Sequence, residues 1–398
     1  HHRAAFMSAV LSADMDHTDK VVRLKHECDK RGSPRIEPPD VNASRYEFSV
    51  SGADSLRYGL GAIKGVGQGV IEDLMAARDI EGPFRSLMDL CARLDSQKAN
   101  RRVFEALIRA GALDGLGSNR ATLMHQLPLA IKRAEQRARA AEAGQSDFFG
   151  LTADPEPSAA EEEEPLPTET LPDWSDAERL AGEKDTLGLY LTGHPIDEHL
   201  ADLADLTSGR IADLAGAEPP ARGKGWGGPK IEATVAGFVI DVRRRGNRVS
   251  LELDDNSDRI EVTLFDEIFQ QHRHIVAKDT VLVVSGTLRF DEFINGWRLT
   301  AKRLLGLDEA LQQRAVGLVI TWRNGERDFP GQLRSVLEPW RRGPCKIVLN
   351  YEGQDAAARL EFGDEWSATP SESLLRDLRR LAGKSNVRLV RTRVLEGA

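Results

Sequence analysis

Gly59-Leu60-Gly61-Ala62-Ile63-Lys64-Gly65-Val66-Gly67-Gln68-Gly69-Val70-Ile71 is the stretch on which the reading of this 398-residue chain turns. Apolar Ile63, Val66, Val70, Ile71 and Leu74 bracket a turn built on Gly65 and Gly67. Two glycines spaced G-x-G permit positive φ and let another backbone come close. The helix expected over about 69–78 then aims its first unpaired N–H groups back at the turn. Those groups, the positive end of the helix dipole and the mobile charge of Lys64 together make an anion site. This is the pattern of a helix-hairpin-helix, which grips a backbone phosphate without reading bases. The plainer reading is a turn that only joins two helices. Against a dinucleotide fingerprint, no strand precedes the turn and the third glycine is missing.

A second hairpin follows, and it favours the phosphate reading. Val103, Leu107 and Ile108 share one helix face, Gly111-Ala112-Leu113-Asp114-Gly115 turns the chain, and Arg120 and Leu123 open the next helix. Paired hairpins bury a common core and present two turns on one side. The candidate nucleic-acid contacts are therefore Lys64, Gly65, Val66, Gly67, Gln68, Gly69 and Arg120.

The length implies two to four domains. No apolar run reaches the roughly 18 residues of a membrane span, and no secretory signal opens the chain. Cys28, Cys91 and Cys345 are far apart and without metal spacing, as expected of reduced thiols in a cytoplasmic protein. The net charge of −9 is unevenly spread. Lys and Arg number 22 against 20 Asp and Glu over residues 1–150, but only 2 against 16 over residues 151–205. The rest of the chain is slightly basic, so one acidic segment masks two parts able to face a polyanion.

In chain order, residues 1–30 read as two amphipathic helices. Asp14, Asp16, His17 and Asp19 between them suit a helix N-terminus better than a metal site, and no metal is expected. Tyr46 to Val50 alternates as a short strand. A helix is expected over 121–144, followed by Gln145, Ser146, Asp147, Phe148 and Phe149. Two adjacent phenylalanines ahead of a Pro/Glu-rich run have no core of their own to enter, which suits a short peptide that docks into another protein's pocket. Residues 152–172 cannot bury enough apolar area to fold and read as a linker. Helix resumes at Trp174, with Asp173 or Ser175 as the cap, and His194 is read as a turn histidine. Residues 216–229 form a second linker.

Over residues 231–307 the period changes from helical to alternating. Three strands, a short helix and two more strands are the order of a five-stranded OB barrel. The loop Arg243-Arg244-Arg245-Gly246-Asn247-Arg248 is basic, and Phe265, Phe290 and Trp297 offer aromatic faces. Basic charge beside aromatic platforms is how such barrels hold single strands. The candidates are Arg243, Arg244, Arg245, Arg248 and Trp297, with a solvated hairpin and a core Phe265 as the alternative. The tail reads as strand, helix, strand, strand, helix and a final apolar-basic run from Val387, a small α+β module suited to interaction.

The fold class is thus multidomain α+β: a helical start over 1–58, tandem helix-hairpin-helix over 59–144, and a peptide with acidic linker over 145–172. A helical connector (173–229), an OB barrel (230–310) and an α+β tail (311–398) complete it. That order, with Ala13-Asp14-Met15-Asp16-His17-Thr18-Asp19-Lys20, Pro38-Pro39-Asp40-Val41-Asn42, Gly61 to Gly67, Asn100-Arg101-Arg102 and Gly111-Ala112-Leu113-Asp114, resembles the C-terminal part of the bacterial replicative DNA polymerase III alpha subunit family. Gln145 to Phe149 is similar to its internal sliding-clamp motif, with Phe148 where an aliphatic residue often stands. Tyr190-Leu191-Thr192-Gly193-His194-Pro195 is similar to its linker region.

The resemblance implies that residues 1–58 close a fingers region and that the hairpins track duplex DNA. It also implies that the tail binds the clamp-loader tau subunit, while the barrel's basic loop and aromatic faces separately suggest single-stranded template as a partner. The family's palm aspartates, which hold two Mg²⁺ for nucleotidyl transfer, would lie before His1, so no catalytic residue or cofactor is expected within this stretch. An error-prone paralogue would lack the clamp peptide and extended tail. A ligase-like repair module would need a nucleotidyl-accepting lysine motif, which is not seen.

Overall fold

A computed structural model describes residues 2–95, 97–147, 170–216, 231–292, 296–323, 328–353 and 356–392, with backbone alone at 141–147. The chain divides into two units, His1–Pro195 and Ile196–Ala398.

The first unit opens with α1 (Arg3–Ala13) and α2 (Thr18–Arg31), the latter stopped by Gly32 in the left-handed region at φ 66°. A small sheet follows from β1 (Arg35–Glu37), β2 (Ser49–Gly52) and β3 (Ser55–Arg57), with β3 in the middle. Then come α3 (Gln68–Glu81), α4 (Leu87–Arg93), α5 (Arg101–Arg109), α6 (Arg120–Asp147) and α7 (Asp176–Leu187). Local chemistry sets several starts. Ser86 accepts from the Asp89 N–H, Asn100 from the N–H groups of Arg102 and Val103, and Asn119 from that of Thr122. Of the two candidate caps of α7, Ser175 is the one used, in a reciprocal capping box with Glu178.

The expected boundaries at 58/59 and 172/173 do not separate independent cores. Leu11, Val21, Phe48 and Tyr58 share one buried cluster with Val70, Leu74, Leu107 and Leu123 of the hairpins, and with Leu187 at the end of α7 and Leu189 just beyond it. Two helices and a three-stranded sheet have too little apolar area to fold alone, so they close over the hairpin helices. The connector expected over 173–229 is likewise divided: α7 belongs to the first unit, whereas α8 (Leu200–Leu203) and α9 (Ile211–Ala215) belong to the second.

In the second unit, β4 (Ile231–Arg245), β5 (Arg248–Asp254), β6 (Arg259–Phe265), β7 (Val281–Asp291) and β8 (Gly296–Gly306) close a barrel in the order β4-β5-β6-β8-β7. Helix α10 (Asp266–His272) lies between the third and fourth strands in sequence, and among the barrel's described pairings β6–β8 is parallel and the others are antiparallel. This is the topology of an OB barrel. Closure brings β7 and β8 so near that a Cβ on Gly286 would collide with the Thr300 carbonyl oxygen. Ile211 of α9 enters the barrel core, held by Asp255, which accepts from the Ile211 N–H and the Arg210 guanidinium at 2.9 Å each.

After α11 (Leu307–Gln312), the tail consists of β9 (Ala315–Arg323), α12 (Phe329–Leu337), β10 (Arg341–Glu352), β11 (Ala357–Glu361), α13 (Glu372–Ala382) and β12 (Val387–Arg391). Its sheet runs β11-β10-β9-β12, and β9 and β10 pair in parallel through the α12 crossover. It has its own core, including Leu318, Ile320, Leu333, Ile347 and Leu378. No helix among the described residues is long and apolar enough to cross a membrane.

Candidate nucleic-acid interface

The first hairpin turn is open. Gly65 has φ +87°, which a side chain adopts only with strain. Gly67 differs from the expectation: its φ of −76° and ψ of 152° are ordinary extended backbone, and it serves as the N-cap of α3 without a side-chain bond. A Cβ on Gly67 or Gly69 would meet nothing within 4 Å. The two glycines therefore act differently. Gly65 makes the turn, and Gly67 and Gly69 keep the start of α3 bare. No acceptor among the described residues takes the N–H of Gly65, Gly67, Gln68 or Gly69. These are the orphan donors of a helix start, directed into solvent.

The other candidates around this turn divide by burial. Val66 is buried and anchors the turn, whereas Lys64 and Gln68 are exposed. The Gln68 amide donates to Glu72 at 2.8 Å. The backbone N–H of Lys64 donates to the Thr186 carbonyl at 2.8 Å, while its ammonium lies beside Gly188, at the end of α7. The turn is thus fastened to α7 from below while its outer side stays free. Tyr58 strengthens the seam through its hydroxyl, 3.4 Å from the Leu187 carbonyl, and burial pushes its pKa up so that it remains neutral.

The second turn is closed, and Arg120 is the reason. It does not face solvent as a phosphate ligand would: the side chain is 4% exposed. Its Nε and Nη2 donate to the two Asp114 carboxylate oxygens at 2.8 and 2.7 Å, and Nη1 reaches Glu183 Oε1 and the Arg109 carbonyl at 3.3 Å each. Gly111, at φ +81°, leaves the guanidinium the space that a Cβ would collide with. Glu183 is fully buried and also accepts from the N–H groups of Leu191 and Thr192 at 2.8 and 3.0 Å. Burial works against the arginine's charge, but the bonds to Asp114 and Glu183 outweigh it and hold its pKa above the ordinary value. Arg120 is a buried clasp that sequence assigned to DNA.

Glu183 was missed, although a signal for it existed. It stands between Leu180 and Leu187 on the apolar stripe of α7, where a carboxylate is out of place unless paired. His194, read as a turn residue, is buried with its ring edge-on to Tyr190 at 5.9 Å.

On the barrel, Trp297 is 6% exposed and packs in the core, edge-to-face with Phe290 at 5.6 Å. It cannot stack on a base. Phe265 takes the outer position at 47% exposure, with the Arg248 guanidinium 5.6 Å from its ring centre. The other hairpin arginines are not equally available. Arg243 is bound by Asp241 at 2.7 Å, and Arg244 sits near Asp266 at 3.6 Å and over the Phe269 ring. Further along the barrel face, Arg259 pairs with Asp254 at 2.8 Å and Arg298 with Glu261 and Asp291 at 2.8 and 2.9 Å. Burial raises the Glu261 pKa, but the bonds from Ser250 and Arg298 outweigh it and hold the carboxylate below its usual range. All four hairpin arginines are exposed, but only Arg245 and Arg248 at the tip have no carboxylate partner among the described residues, and Phe265 stands beside them.

Gln145, Ser146 and Asp147 end the backbone of α6, and their side chains, with all of Phe148 and Phe149, lie outside the described residues. Glu198, His199 and Glu372 bring three potential ligand atoms within 4.8 Å of one another. Burial, with Arg379 and Lys384 nearby, pushes the His199 pKa down to about 4, so the imidazole is neutral.

The chain matches three family models: the helix-hairpin-helix motif over residues 34–123, the OB-fold nucleic acid binding domain over 233–304, and the C-terminal domain of DNA polymerase III subunit alpha over 332–383. It is 44% identical over 397 residues to the DNA polymerase III subunit alpha of Escherichia coli O157:H7, covering 98% of this chain and 33% of the relative. The corresponding subunit of Vibrio cholerae is 43% identical over 396 residues, with the same coverage. That of Pseudomonas aeruginosa is 40% identical over 414 residues, covering 97% of this chain and 33% of the relative. The chain spans about a third of the length of the curated relatives it matches.

Arg120→Ala leaves Glu183 buried with most of its countercharge gone, and it should destabilise the first unit by about 3–5 kcal/mol. Urea unfolding of parent and variant measures this. Replacing Arg120 and Glu183 together with apolar residues of similar volume should recover much of the loss, as a buried pair allows and a surface contact does not.

Proposed function

Because this chain belongs to the DNA polymerase III alpha-subunit family, of which it represents a C-terminal portion, we propose that it holds nucleic acid and partner proteins for a replicative polymerase. The observation that carries the reading is the open first turn. Its bare N–H groups at the positive end of α3, with exposed Lys64 beside them, suit a phosphate of duplex DNA. A grip of this kind ignores sequence, as following a growing duplex requires.

Three further roles belong to the same proposal. The barrel tip takes single-stranded template at Arg245, Arg248 and Phe265, in place of Trp297. Gln145 to Phe149 docks into the sliding clamp. The α+β tail receives the clamp-loader tau subunit. The full-length subunit would then supply template-directed nucleotide addition with Mg²⁺ held by residues outside this stretch, in the cytoplasm. An error-prone paralogue is the weaker reading, because the chain carries both a clamp-like peptide and the subunit's C-terminal domain.

Gly65→Val forces a β-branched residue into positive φ and distorts the turn. Binding to random-sequence duplex should weaken and lose roughly one unit of salt slope, measured by anisotropy of a labelled duplex. Parental binding by a folded variant would make the turn a joint only. On the barrel, Phe265→Ala should weaken oligo-dT binding by about 1–3 kcal/mol. Trp297→Ala should instead lower stability by about 3–5 kcal/mol, and a reversal of these two effects would restore Trp297 as the platform. Changing Phe148 and Phe149 to Ala should abolish binding to the clamp in a calorimetric titration and leave duplex binding intact. Equal clamp affinities would end the docking-peptide reading.

A further inference from the structure

The open turn abuts α5. A Cβ on Gly65 would lie 3.7 Å from the Ala106 Cβ, so the turn rests against the middle of that helix. One turn to either side of Ala106 stand Arg102 and Arg109, at i−4 and i+3, on neighbouring positions of one face. Both are exposed, and no carboxylate among the described residues pairs with either. Their nearest acidic neighbour on the helix, Glu105, is held by Arg101 at 2.7 Å. Two cations thus remain free beside a turn whose N–H groups are free as well.

The stem of Arg109 is positioned as well as exposed. Gly182 of α7 packs against it so closely that a Cβ there would sit 3.4 Å from both the Cβ and the carbonyl oxygen of Arg109. That carbonyl also accepts from Arg120 at 3.3 Å. The buried clasp therefore fixes the root of Arg109 and leaves its guanidinium to solvent. Seven residues of helix separate Arg102 from Arg109 by about 10 Å, enough for the two guanidiniums to meet different phosphates of one strand.

We propose that Arg102 and Arg109 form a phosphate-binding row on α5, beside the Gly65 turn, which takes two further backbone phosphates of the duplex strand that the turn grips. This rests on the duplex reading of the turn. The row contacts phosphates only, so it adds affinity and register along the strand and no base preference. Its three-point grip, one turn and two guanidiniums, orients the duplex along α5 where a single phosphate contact would leave it free to pivot.

The experiment measures anisotropy of a labelled random-sequence duplex across a salt series, using the full chain. Arg102→Gln with Arg109→Gln should reduce the slope of log K against log salt by roughly two units, equally for unrelated duplex sequences, with an unchanged thermal melt. Arg101→Gln together with Glu105→Gln removes a pair already mutually neutralised and should keep the parental slope. A parental slope in the double variant, alongside lost binding in Gly65→Val, would overturn the row and leave the turn reading standing. Parental binding in both the double variant and Gly65→Val would overturn the row and the turn together. An equal loss from the Arg101→Gln, Glu105→Gln variant would also overturn it, because the helix flank in general and not the two placed arginines would then carry the effect.

Discussion

The contact of Arg120 with Asp114 and Glu183 is the constraint on which the first unit depends. A guanidinium and a carboxylate, both almost wholly out of water, are tolerable only where every donor and acceptor has a partner. Here Asp114 takes two of the arginine's bonds, and Glu183 takes a third while also receiving the N–H groups of Leu191 and Thr192. The bonds tie the second hairpin turn and the start of α6, which are neighbours in sequence, to the distant α7 segment and its following loop. Once α7 is held there, its end also meets the first turn, through Thr186 to Lys64 and Leu187 to Tyr58. One helix therefore braces both hairpins, the second through its ionic clasp and the first through backbone carbonyls.

Much of this architecture was legible because local periodicity encodes it. The change from helical to alternating spacing at residue 231 marks the barrel, and strand-strand-strand-helix-strand-strand fixes its topology. The same alternation contained the answer to the aromatic question. In β6, Ile260, Val262 and Leu264 point inward, so Phe265 must point out. In β8, Leu299 and Ala301 point inward, so Trp297 of the same parity must too. Size and aromaticity drew attention to Trp297 where parity should have decided.

The burial of Arg120 was not legible in this way. Its closest partner, Asp114, is six residues away, but the group that makes it a buried clasp lies 63 residues further on. A basic residue at the head of a helix after a glycine turn looks the same whether it faces solvent or a carboxylate from another helix. The shared core across 58/59 and 172/173 was hidden for the same reason, because composition does not show which folded segments pack together. Glycines posed a subtler problem. Gly65 and Gly67 are equivalent in the pattern, yet one supplies a positive φ and the other only the absence of a side chain.

Charge counts mislead in a related way, and the barrel shows why. Arg243, Arg259 and Arg298 are near its nucleic-acid-facing candidates, but each is held by a carboxylate within 3 Å. An arginine so engaged offers a polyanion little, since a phosphate must first displace a partner already in contact. Arg102 and Arg109 contribute no more charge than these, yet Glu105 is spent on Arg101 and leaves them unopposed. The useful quantity is thus the number of cations left over after the local acids are assigned. By that measure the arginine-rich barrel keeps only Arg245 and Arg248 at its tip, and the flank of α5, within the slightly basic stretch of residues 1–150, keeps Arg102 and Arg109 beside a row of free N–H groups. On the proposed function, a few unopposed contacts supply the grip on a duplex, and charges already paired within the protein add little to it.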